Sequence, residues 1–222
     1  MPIYNAQILE VDSAETRRYA GLRKIPEFGE KNIREACEEA LILSEVRGAW
    51  EIYAYDSENH TVASDPPFTI AGNSIIKHLS GCERVICMAV TVGAAIEDEI
   101  TKKFECGEYL ASILLDAAAT SAVEQSADAM EKNFAAKFAK EGFKLRWRFS
   151  PGYGDWNLSE QAGIFRLSGA ERINLRLTEA FMLEPRKSVT AIIGLEKISA
   201  QKDSSHKKSC VSCDNLNCPS RK

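Results

Sequence analysis

From Glu108 to Glu141 the chain contains neither glycine nor proline and is rich in alanine, which commits this stretch to one long helix, the longest element expected. At about 100° per residue, Leu110, Ile113, Leu114, Ala117 and Ser121 form one apolar stripe, and Val123, Ala127, Met130, Phe134 and Phe138 form a neighbouring one. Glu124 falls between the two. A carboxylate in a buried sector is unfavourable unless paired or hydrogen-bonded. Glu124 therefore either pairs with an arginine of the following strand or serves a ligand, and spacing alone leaves both open.

The elements around this helix follow from local pattern. Ile3 to Val11 alternates weakly as a first strand, and Asp12 with Glu15 reads as a capping box for a short helix through Tyr19. Glu30 to Val46 places Ile33, Cys37, Ala40, Leu41 and Ser44 on one helical stripe. Ala49 to Tyr55 is a strand rich in aromatic residues, and Asp56 to Asn59 turns it into a hairpin. A short helix is expected at Asn73 to Leu79, a buried central strand at Arg84 to Val92, and a further helix from Gly93 toward Lys103. Leu158 to Leu167 can form a helix, Ser168 to Glu171 resembles a second capping box, and Ser188 to Gly194 is a β-branched strand. Separate helices and antiparallel-looking strands, without β-α-β rhythm, point to α+β.

With a net charge of -4 and no basic face outside its end, the chain is not expected to bind nucleic acid. No run has the length of a membrane span and no secretory signal precedes the fold, so a cytoplasmic protein is expected. Cys37, Cys82, Cys87 and Cys106 are expected to be small buried thiols of a reducing compartment. Phosphate-binding glycine loops, a dinucleotide fingerprint and a serine-hydrolase elbow are all absent. His60 and His78 have no carboxylate or cysteine at useful spacing and are expected to be surface or packed residues.

Two stretches carry the chemistry. In Arg146 to Trp156, Leu145, Trp147 and Phe149 alternate with arginines, the pattern of a strand with one buried face and one guanidinium face, and Pro151-Gly152 then ends the ladder. Arginine suits a carboxylate or phosphate, and Tyr153 offers a flat ring, so a zwitterionic or anionic ligand with a planar ring fits. From Ser199 to Lys222 the composition becomes a Lys/Ser-rich tail that follows a domain of residues 1–198. Its Cys210, Cys213 and Cys218 can gather around zinc, with His206 as a fourth ligand, hold an iron-sulfur cluster with an outside ligand, or act as redox thiols.

Arg148-Phe149-Ser150-Pro151-Gly152-Tyr153 resembles the activation domain of cobalamin-dependent methionine synthase, whose signature is an arginine followed at this spacing by Pro-Gly-Tyr. Glu124 in the long helix and Lys187-Ser188-Val189-Thr190 extend the resemblance. Glu15 to Gly21 and Met88 to Gly93 are similar to short free-standing relatives. The resemblance implies a C-shaped α+β domain with a central twisted antiparallel sheet that binds S-adenosylmethionine. It also implies a component of methionine synthase activity, not a complete enzyme, that supports reductive remethylation of cobalamin held on a separate methyltransferase chain. A flavodoxin- or ferredoxin-type electron donor is a further implied partner. By the same resemblance Arg148 holds the methionine carboxylate, Ser150, Pro151, Gly152 and Tyr153 contact the ligand, and Glu124 acts on its ammonium group or through water. The sequence departs from the family after the tyrosine, where Gly154-Asp155-Trp156-Asn157 replaces Pro-Ala-Cys-Pro and an acidic-histidine pair. Rival readings are a metal or redox accessory acting through the C-terminal cysteines, and a ligand-free docking module.

Overall fold

The computed structural model describes residues 3–5, 8–25 and 27–198. Its centre is β5 (Cys82–Thr91), apolar from Val85 to Val90, which pairs antiparallel with β2 (Arg47–Asp56) on one side and β9 (Ser188–Lys197) on the other. Trp50, Met88 and Ala191 lie in register across the three. The sheet extends through β3 (Thr61–Val62) and β4 (Phe68–Thr69) beyond β2, and through β6 (Phe143–Leu145) beyond β9, while β1 (Ile3–Tyr4) pairs with β2. β7 (Arg176–Leu177) and β8 (Leu183–Glu184) form a separate two-stranded ribbon.

Both faces of β5 are covered, which is why its sequence does not alternate in polarity. Ile86, Met88 and Val90 face a layer made by α1 (Ser13–Tyr19), α2 (Glu30–Leu43), α4 (Ala95–Glu105) and the 31-residue α5 (Tyr109–Ala139). Val85, Cys87 and Ala89 face the opposite layer, built from α3 (Asn73–His78), α6 (Gln161–Ser168) and a 3-10 turn at Ala170–Ile173. The expected α+β class, antiparallel sheet and long helix are all present. Among the described residues no helix is long and apolar enough to cross a membrane.

Several local expectations are corrected. Leu110 and Ile113 do not share the buried stripe of α5; they are 51% and 55% exposed. The buried arc centres instead on Leu115, Ala118, Ala119 and Ala122, where small side chains let α5 pack closely against its neighbours, α1, α2 and α4 above all. Asp12 caps α1 by accepting from Ala14 N and Glu15 N, but Glu15 turns to Arg18, so the reciprocal half of the box is not made. Ser168 Oγ donates to Phe165 O, and Gly169, left-handed at φ 69°, closes α6, so no capping box forms there. Cys106 is exposed, unlike Cys37, Cys82 and Cys87. Burial pushes the Cys82 thiol up to about 11.

Gly194, in the middle of β9, has no room for a side chain. A Cβ there would lie 2.5 Å from Cys82 Sγ and 3.0 Å from Leu79 Cδ2. Gly194→Ala should destabilise the protein by about 1–3 kcal/mol in urea denaturation. Adding Cys82→Ala should recover part of that loss, a coupling between neighbours that a double-mutant cycle measures.

Candidate functional site

β6 is the last strand on its side of the sheet, and among the described residues no strand pairs with its outer border. Leu145 lies opposite Leu195, and Arg146 N–H still donates to Gly194 O at 2.8 Å. Pairing resumes only at Phe149, which exchanges two 2.9 Å hydrogen bonds with Ile192. Between these contacts the border strand advances one residue more than β9, so it carries a bulge, and a one-residue slip turns side chains to the other face. Leu145 accordingly packs with the α5 layer and Phe149 with the α3–α6 layer. The expectation that Leu145, Trp147 and Phe149 share one face is corrected on that ground. The expected solvent-facing guanidinium row is absent too, since Arg146 pairs with Glu196 and only 18% of the Arg148 side chain is exposed.

Arg148 turns onto α5. There Glu124, Asp128 and Glu131 recur at helical spacing on one face and all three carboxylates engage it. Nη2 donates to Glu124 Oε2 at 2.8 Å, and Nη1 donates to Glu131 Oε2 at 3.0 Å and to Asp128 Oδ1. Burial works against the guanidinium charge, but hydrogen bonds and Coulomb attraction from Asp128 and Glu124 outweigh it, and its pKa is raised. Glu131 is buried while Glu124 and Asp128 are each more than a third exposed, so the accessible rim of the cluster is anionic. Pairing of Glu124 with a strand arginine is one of the two roles its position allows; Asp128 and Glu131, one and two helical turns further on, join it without a sequence signal that names their cation.

Ser150 to Tyr153 form a tight turn whose side chains part company. Ser150 Oγ donates to Thr190 O at 2.7 Å, Pro151 is buried, and Tyr153 projects outward at 53% exposure. Tyr153 N–H donates to Ser150 O, and Gly152 N–H donates to Trp156 O. The residues that depart from the family pattern anchor this turn. Asp155 accepts 2.8 Å hydrogen bonds from both Asn73 N and Ser74 N, capping α3 from a distance because the cap position itself is Gly72. Trp156 is 1% exposed in the core, and Asn157 caps the 3-10 turn at Leu158–Glu160. An aspartate beside two glycines gave a turn signal but no hint of a partner more than eighty residues away.

His78, at the end of α3, packs against Trp147 and Phe149. Cys210, Cys213 and Cys218 lie outside the described residues. Among the described residues no group of three or more His, Cys, Asp or Glu is arranged to hold a metal ion. The Arg148 cluster can attract a cation at its rim, and flat rings stand beside the turn.

No family model matches the chain, and neither does any curated protein. Among solved structures it is similar to the MetH reactivation domain, crystallised bound to AdoHcy, with a TM-score of 0.60 and 16% identity, covering 91% of this chain and 81% of that one. At this identity the likeness is one of fold.

Removing Arg148 takes a shared cation away from three neighbouring carboxylates, one of them buried. Arg148→Met should lower stability by about 3 kcal/mol in urea denaturation, and Glu131→Gln on that background should recover part of it. The backbone and side-chain hydrogen bonds of Ser74 hold the Asp155 carboxyl at about 2, below the ordinary 3.8. Because the folded pKa is depressed, the stabilising contribution is present above about 4 and is lost as pH falls toward 2. Carboxyl NMR titration should show this midpoint, and Asp155→Asn should flatten the acid limb of the stability profile between those values.

Proposed function

We propose that this chain is a free-standing activation-type module that binds S-adenosylmethionine and supports reductive remethylation of a corrinoid on a separate methyltransferase chain. The supporting observation is the fold, matched over nine-tenths of the chain to a domain crystallised with AdoHcy, with the Arg148 to Tyr153 turn at an open sheet border. S-adenosylmethionine carries an ammonium, a sulfonium and one carboxylate. Its cationic end suits the anionic rim formed by Glu124 and Asp128, while Arg148 is already engaged and reaches a ligand carboxylate only if one of these acids turns away. The partner's reduced corrinoid supplies the nucleophile for the methyl group, with electrons from a flavodoxin- or ferredoxin-type donor. The task left to this chain is positioning, for which a rigid turn without acid–base machinery suffices.

The saturation of Arg148 by three carboxylates favours a second reading, a docking module without ligand. Calorimetry separates the two. The first expects saturable one-to-one binding of S-adenosylmethionine and S-adenosylhomocysteine, weakened by about 1.5–3 kcal/mol in Glu124→Gln. Absence of binding heat and of any ligand-induced shift in melting temperature removes the first and leaves the second.

A further inference from the structure

The bulge turns Trp147 outward, where its side chain is 38% exposed. The indole lies 4.5 Å from the His78 ring and 5.2 Å from that of Phe149, and Tyr153 stands edge-on to the same Phe149 at 6.0 Å. This group is held from several sides. Phe149 is bridged to Ile192, Tyr153 N–H is tied to Ser150 O, and α3, which carries His78, is capped by Asp155. The imidazole is placed with care for the backbone as well, because Nε2 donates to Trp147 O at 2.8 Å and fixes the residue whose ring it buttresses. A broad aromatic surface immobilised in advance loses little entropy on receiving a flat ligand. The very next residue, Arg148, leaves the border toward α5 while Trp147 leaves it toward α3, so a ligand that reached both the indole and Glu124 would cross the edge of the border strand.

We propose that Trp147, buttressed by His78 and Phe149, is a stacking platform for a purine nucleoside. Its assignment to the adenosyl half of S-adenosylmethionine rests on the function proposed above. His78 acts as a positioning residue through Trp147. The electron-rich indole favours a fused heteroaromatic ring over an aliphatic group, and no hydrogen-bond partner at the ring edge is required for that preference.

Adenosine is the probe, titrated into the full chain and followed by tryptophan fluorescence and calorimetry. Of the three tryptophans, Trp156 is buried and Trp50 packs on Phe134 and Phe138, so quenching reports on Trp147. Wild type should bind saturably, Trp147→Phe should stay within about threefold, and Trp147→Leu, which keeps apolar bulk without a ring, should lose about tenfold or more. His78→Ala should fall between them. Equal affinity of Trp147→Leu and Trp147→Phe for adenosine overturns the platform. If both bind S-adenosylmethionine as wild type does, the platform falls and the ligand reading stands. Adenosine binding that depends on an aromatic ring at position 147, with no binding of S-adenosylmethionine, keeps the platform and removes the ligand reading. Absence of both overturns both.

Discussion

The packing of α5 against α1, α2, α4 and the central sheet is the constraint on which the molecule depends. Its buried alanines share one core with β5, β9 and the neighbouring helices, and Phe134 and Phe138 extend the contact to Trp50 on β2. The same seating fixes where Glu124, Asp128 and Glu131 stand, since a helix locked along its length cannot slide or roll by a residue without emptying its core positions. Hydrophobic packing therefore sets the address of the charges. Arg148 reaches them only because the bulge has already turned it to the helix side of the sheet.

That arrangement bears on the ligand question in a particular way. A guanidinium with three acidic partners is a poor receptor for a further anion, yet the group as a whole carries more negative than positive charge. The resemblance to methionine synthase activation domains assigned Arg148 to a ligand carboxylate, whereas the geometry makes it the organiser of an acidic rim. Such a cluster suits a cationic group better than a further anion, and the arginine holds the acids in place despite their mutual repulsion.

Much of the fold could be read directly because single rules governed each piece. The glycine- and proline-free stretch gave the long helix nearly to its ends, and the unbroken apolar run of Val85 to Val90 announced a strand covered on both sides. What could not be read were features in which two rules compete. Alternation through Leu145, Trp147 and Phe149 is perfect on paper, and one inserted residue reverses its meaning. Leu110 and Ile113 outrank alanine in hydrophobicity, but packing against the neighbouring helices and the sheet decided the buried face of α5. The three acids around Arg148 are spaced one helical turn apart in plain view, but only the bulge shows which cation they attend. Asp155 looked like an ordinary turn residue because its partners, Asn73 and Ser74, are brought to it by the tertiary fold alone.

The imidazole on Trp147 also has a bearing on how the molecule behaves in a crowd. A sheet that stops at an unpaired strand offers its amides and carbonyls to any extended peptide drifting past, its own siblings included. Here that frontier is crooked, and one of its acceptors is already taken by His78. A would-be additional strand finds a broken template at this margin, which disfavours extension of the sheet there.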